Sequence, residues 1–339
     1  MGGVMLAPLS VLDLAPISSG QSPSDALART IDLAMHVESL GYARYWLAEH
    51  HNAKSMACSS PEVLIAVVAS RTARIRVGSG GVMLPNHAPL RIAEAFRTLS
   101  GFFPGRIDLG LGRAPGSDGR TARALRRLPP DVKLPPPEAM EDDLVALQRF
   151  LADDVEARPP FATSIVAVPS PVVPPVVHML GSSAFGGALA AKHGLPFAFA
   201  HHFAPDDAVE VTRSYRRDFV PSARTKEPYV ILAVAALAAD TDDEAQRLAQ
   251  SGRLRWLQFS QGLRDLPLPS VEEAEAHEWS EEERALAPGG DGGLVGSGET
   301  VRRKLEQLCE ATGAEEIMIT TAVHEHAARR RSYELIAGG

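Results

Sequence analysis

Five short clusters in this 339-residue chain carry residue types suited to chemistry, and each sits at the end of a stretch that reads as a strand. Glu49-His50-His51-Asn52 follows Tyr45-Trp46-Leu47-Ala48. A carboxylate beside imidazoles that titrate near neutrality can hold or move a proton. The plain alternative is one histidine closing a loop and the other facing water. Gly78-Ser79-Gly80-Gly81 ends another such stretch, where the missing Cβ atoms would let a flat ring lie on the backbone or would simply form a bulge. Leu180-Gly181-Ser182-Ser183 precedes a helical pattern, so free N–H groups and the positive helix end there suit a phosphate, although serine is also the usual helix cap. Arg113, after Gly110-Leu111-Gly112, would add a charged fork to the same phosphate, and His201-His202 closes a further apolar run.

Rival chemistries are poorly served. Neighbouring His50 and His51 point to opposite faces of a strand, and no His-x-His spacing occurs within the cluster, so no metal site is expected. Gly-x-Ser-x-Gly, the nucleophile elbow of many hydrolases, is absent. The glycines from Gly110 to Gly116 are wrongly spaced for a dinucleotide turn, and no Gly-x-x-x-x-Gly-Lys occurs. A phosphate site without either fingerprint points to a mononucleotide cofactor.

Composition sets the wider bounds. Hydrophobic residues make up 45% and charged residues 22%, as in a globular enzyme with a sizeable core. Lys plus Arg is 34 against 42 for Asp plus Glu, a net charge of −8 with the basic residues scattered, which argues against nucleic acid as a partner. Cys58 and Cys309 belong to no Cys-x-x-Cys or Cys/His spacing, so a reduced, cytoplasmic protein is expected. The N-terminus lacks a secretory pattern, and the longest apolar run, 230–239, is too short to span a bilayer, so no membrane association is expected.

The elements that must position these clusters alternate. Strand-like runs at 6–12, 44–48, 74–85, 106–113, 176–180, 196–200, 229–238 and 317–319 are separated by helical patterns at 23–40, 61–71, 91–99, 138–151, 184–193, 205–219, 240–261, 298–312 and 322–336. Pro61 behind Ser60 reads as a capped helix start. Eight strand-then-helix repeats predict an α/β chain forming one (β/α)8 TIM barrel over residues 1–339, whose strand ends converge on one face. Segments 117–137 and 264–293 read as insertions after the fourth and seventh strands, and 155–175 as a hairpin or edge strands.

Taken in order, Trp46 to Asn52, Arg76 to Pro85, Arg106 to Gly116, Leu180 to Ser183 with Gly194-Leu195-Pro196-Phe197, and Gly296 to Val301 resemble the bacterial luciferase-like flavin-dependent monooxygenases over nearly the whole chain. The resemblance implies a barrel that binds reduced FMN, supplied by a separate flavin reductase, and uses O2 through a C4a-peroxide of the flavin to oxygenate a small organic substrate. It implies His50 as the active-site base or hydrogen-bond donor, a non-prolyl cis peptide at Gly80-Gly81 beneath the flavin ring, Arg113 as a phosphate ligand, and Leu180, Gly181, Ser182 and Ser183 as lining of the phosphate pocket. His51 is then structural, and a homodimer is expected. Gly112 stands where light-emitting members carry cysteine, so light emission is not implied. Superfamily members also use the deazaflavin F420 or act as dehydrogenases and reductases, and a non-catalytic flavin-binding relative or a metal-dependent barrel hydrolase are the further alternatives.

Overall fold

The apolar runs are four to ten residues long and buried, and they pair edge to edge into one parallel ring. A computed structural model describes residues 6–114, 116–126, 128–129, 139–152, 165–286 and 293–338. Its strands are β1 (Leu9–Asp13), β2 (Arg44–Leu47), β3 (Arg76–Met83), β4 (Ile107–Gly112), β5 (Val176–Gly181), β6 (Phe197–Ala200), β7 (Val230–Ala239), β8 (Leu294–Ser297) and β9 (Glu316–Thr320). Strands β1 to β7 pair successively, β7 pairs with β9, and β9 returns to β1, so eight of them close the predicted barrel. In register, Val11 lies opposite Tyr45, Trp46 opposite Gly78, and Ser79 opposite Leu109.

Helices cover the outside: α1 (Pro23–Ser39), α2 (Pro61–Arg71), α3 (Pro89–Phe102), α4 (Gly119–Arg126), α5 (Met140–Leu151), α6 (Ala184–Lys192), α7 (Ala208–Arg217), α8 (Asp242–Ser260), α9 (Val271–Glu275), α10 (Glu281–Leu286), α11 (Gly298–Thr312) and α12 (His326–Ala337). Helix α1 starts on a reciprocal box in which the Ser22 hydroxyl accepts from the Asp25 N–H while the Asp25 carboxylate accepts from the Ser22 N–H. At α2 the proline is placed as expected, but the Ser60 hydroxyl makes no cap bond.

Three segments differ from or add to the sequence-based expectation. Leu294–Ser297, unassigned between the insertion over 264–293 and the helical pattern at 298–312, forms a ninth strand outside the ring. Strand β7 is ten residues long and overshoots β9, and β8 pairs with the backbone of Ala236 to Ala239 that β9 leaves open. The insertion expected over 117–137 contains a helix, since Gly119–Arg126 forms α4 with Ala122 buried; residues 127 and 130–137 lie outside the described residues. Of the hairpin expected over 155–175, residues 155–164 lie outside the described residues, and 165–175 contain no strand.

The amino-terminal end of the barrel is closed by charge. Arg44 donates to Asp108 at 2.7 Å and to Glu316 at 3.0 Å, while Arg76 Nε donates to the other Asp108 oxygen at 3.0 Å. The Trp46 indole reaches Asp108 at 3.1 Å, and the Tyr229 hydroxyl donates to Glu316 at 2.7 Å. Burial alone would raise the Asp108 carboxyl, but Arg44, His178 and Arg76 hold it below its ordinary value. Above this layer, Asp13 accepts from Tyr45, Thr30 and Arg329, anchoring α1 and α12 to β1 and β2.

His178, fully enclosed beside the Trp46 ring at 4.9 Å, has its pKa pushed down to about 4 by burial. The unfolded chain takes up this proton near the ordinary value, about 6.5, and the folded chain only near 4, so stability is lost as pH falls through that window. The full effect is on the order of 3 kcal/mol. Urea unfolding should therefore show a shallower loss of stability between pH 7 and pH 4 in His178→Gln than in the wild type; equal slopes would remove His178 from the account.

Candidate active site

The carboxyl ends of β2 and β3 are joined by one carboxylate. Glu49, 1% exposed, accepts from the Met83 N–H at 2.9 Å through Oε2, while Oε1 lies 2.7 Å from His51 Nε2 and 2.8 Å from His87 Nε2. Burial opposes its ionisation, yet these partners hold its pKa below the ordinary value, and His87 is raised in return. His51 points away from His50, although both lie in the loop beyond the end of β2 and not on the strand itself, and the His51 N–H donates to the Gly116 carbonyl. His50 turns into the barrel mouth, with its N–H on the Cys58 carbonyl at 3.2 Å and Nδ1 3.9 Å from the Cys58 sulfur. Burial lowers the His50 pKa, with Glu49 opposing and His51 and Arg264 adding to the fall, so this imidazole is neutral at pH 7.

The Gly80–Gly81 peptide is cis, as the resemblance implied. Glycine is required here from behind: a Cβ on Gly80 would meet Leu12 and Trp46, and one on Gly81 would lie 2.8 Å from the Gly110 carbonyl oxygen. The β3–β4 register shifts between Ser79 and Val82, so the bulge and the bare backbone occur together and do not compete as explanations.

Across the mouth, Ser183 has the extended backbone of an N-cap for α6, but its hydroxyl makes no cap bond. Among the described residues, neither the Ser182 nor the Ser183 hydroxyl has a hydrogen-bond partner, and Arg113 has no carboxylate partner. The Arg113 guanidinium instead lies over the Phe185 ring at 4.6 Å. Two free hydroxyls, the first N–H groups of a helix and an unpaired arginine form a donor set for an anion.

All of these residues line one cavity of about 310 Å³: His50, Gly80, Gly81, Arg113, Leu180, Gly181, Ser182 and Ser183. Its remaining wall is mainly apolar, including Leu12, Leu14, Trp46, Met83, Met140, Met179, Phe203 and Met318. His51 and His201 do not line it. His202 does, from the His201-His202 pair already counted among the strand-end clusters but assigned no role. Its Nδ1 donates to the Ala233 carbonyl at 3.0 Å, which leaves Nε2 as an acceptor. Its place after β6 matches that of His50 after β2, a signal available in the sequence. Nothing in the sequence pairs His87 with Glu49, because helix α2 and the whole of β3 separate them.

A family model described as luciferase-like monooxygenase matches residues 8–316. The luciferase-like monooxygenase of Escherichia coli (strain K12) is 41% identical over 335 residues, spanning 96% of this chain and 95% of that protein. N-acetyl-S-alkylcysteine monooxygenase of Bacillus subtilis (strain 168) is 34% identical over 335 residues and 97% of each chain. The crystal structure of apo-MsnO8 superposes with a TM-score of 0.89 at 38% identity, covering 98% of both chains. The fold alone is shared with the oxygenating constituent of 3,6-diketocamphane monooxygenase in complex with FMN (TM-score 0.69, 19% identity, 98% and 96% of the chains) and with an F420-dependent secondary alcohol dehydrogenase (0.67, 12%, 97% and 98%). The match runs through every strand-end cluster of the cavity, and this chain belongs to the luciferase-like monooxygenase family.

Proposed function

We propose that this chain is an FMN-dependent monooxygenase that uses O2 to oxygenate a small, largely apolar organic substrate. The observation that carries the reading is the layout of one cavity: a free anion cradle at one end, a bare Gly80–Gly81 backbone in the middle and neutral His50 at the other. Ser182, Ser183 and Arg113 would hold the phosphate of FMN, and Gly80 and Gly81 would let the ring lie against β3. Reduced FMN supplies the reaction with O2 when bound. His50 is placed to hold or move a proton beside it, because its low pKa keeps a lone pair free at neutral pH. His202 offers a second acceptor on the same wall. Leu14 and Met318, with the ring of Phe203 at the rim, give the wall an apolar character that favours an apolar substrate.

The lack of any dinucleotide glycine turn supports a separate flavin reductase as the source of reduced FMN. Val63 and Val67, exposed one turn apart on α2, with Met35 exposed on neighbouring α1, support a homodimer. Two free cysteines, and the absence among the described residues of any helix long and apolar enough to cross a membrane, fit a reduced cytoplasmic setting.

Titration with FMN and with F420, followed by fluorescence, should give saturable micromolar binding of FMN at one site per chain. F420 binding without FMN binding would favour a deazaflavin-linked dehydrogenase of the same fold. Arg113→Ala should weaken FMN binding by about 1.5 to 3 kcal/mol, the contribution of a charged hydrogen bond. His50→Ala should leave FMN affinity close to wild type but lower oxygenation of a thioether panel assayed with a flavin reductase by on the order of 10² to 10⁴-fold. Unchanged turnover in that variant would take His50 out of the reaction. In the wild type, the acid limb assigned to His50 should fall below about pH 6.5, the ordinary histidine value, and should vanish in His50→Ala.

A further inference from the structure

Among the described residues, Glu49, His51 and His87 bring three metal-ligating atoms within 4.8 Å of one another, and no other such group occurs. We propose that they bind one divalent transition-metal ion of the zinc, cobalt or nickel kind, with Glu49 Oε1 and the Nε2 atoms of His51 and His87 as ligands. The two Nε2–Oε1 separations, 2.7 and 2.8 Å, already approach the edge of a tetrahedron built on ligand bonds of about 2.1 Å, roughly 3.3 to 3.4 Å. Entry of the ion thus asks for an outward shift of about half an ångström at these edges.

The carboxylate is fixed for this role. Its Oε2 is occupied by the Met83 N–H, which leaves Oε1 as a single directed ligand, and the His51 backbone is tied to the Gly116 carbonyl. The imidazoles are reachable from solvent, their side chains being 15% and 28% exposed, while Glu49 is enclosed at 1%. Each imidazole offers its Nε2 lone pair once its proton sits on Nδ1, so binding exchanges two N–H···O contacts for two N–metal bonds. Imidazole ligands favour borderline ions over magnesium or calcium. Elsewhere His36, His193, His277 and His326 each meet a carboxylate as a single imidazole, which makes an ion pair and not a three-ligand site.

The site does not use the cofactor cradle, so the test is run without flavin. EDTA-treated protein is titrated with cobalt(II) chloride and followed by visible absorption and calorimetry, with magnesium chloride as the comparison. One cobalt per chain is expected, with no heat from magnesium. His87→Gln and His51→Gln keep an N–H donor for Glu49 but remove the ligating nitrogen. Each should fold, with a melting temperature near that of the wild type, and should bind cobalt at least about tenfold more weakly, while His277→Gln should bind as the wild type does. Absence of stoichiometric cobalt binding, undiminished binding in both glutamine variants, or equal loss in His277→Gln would overturn the proposal.

Discussion

The pairing of Asp108 with Arg44 and Arg76 inside the closed ring is the interaction on which the rest of the molecule rests. A carboxylate with no solvent contact is tolerable only because two guanidinium groups and the Trp46 indole satisfy it, and those donors come from β2 and β3. Arg44 also binds Glu316 at the start of β9, and Glu316 in turn accepts from Tyr229 beside β7. One polar layer thus fixes strands from both sides of the ring at their amino ends. The opposite ends are left free to carry residues selected for chemistry.

At the open end the same device appears in smaller form. Glu49 ties the end of β2 to Met83 of β3 and to His87 beyond it, so the loop bearing His50 and the Gly80–Gly81 backbone are held by one carboxylate. The close approach of β3 and β4 demands glycine at Gly81, and the same absence of a side chain leaves backbone facing the cavity. On the far side, Ser183 begins α6 without spending its hydroxyl on the helix, and Arg113 rests on Phe185 and not on an acid. The polar groups of the site therefore come from the ends of β2 to β6, with apolar wall added by β1, β7 and β9, on a frame whose rigidity comes from elsewhere.

Much of this was legible in the sequence because parallel barrel strands are apolar on both faces and end in polar residues. All eight ring strands can be read that way, and their ends carry Glu49-His50-His51, Gly80-Gly81, Gly112-Arg113 and Gly181-Ser182-Ser183, while the choice of His50 from its pair rests on the resemblance. Strand β8 was not legible, since Leu294–Ser297 is short, half polar and exists only to meet the overshoot of β7. The partnership of Glu49 with His87 was hidden for a different reason: it depends on how the loops after two strands fold back on each other, which no periodicity records. Sequence adjacency sets His50 beside His51 and gives no reason to look further, whereas the structure brings His51 together with a histidine from another loop.

The most direct measurement is a crystal structure of the protein grown with FMN. The account predicts the phosphate against Ser182, Ser183 and Arg113, the ring on the Gly80–Gly81 backbone and His50 on the side of the ring where O2 and substrate meet. FMN bound with its phosphate away from Arg113 and the start of α6, or a ring that does not reach Gly80–Gly81, would contradict it.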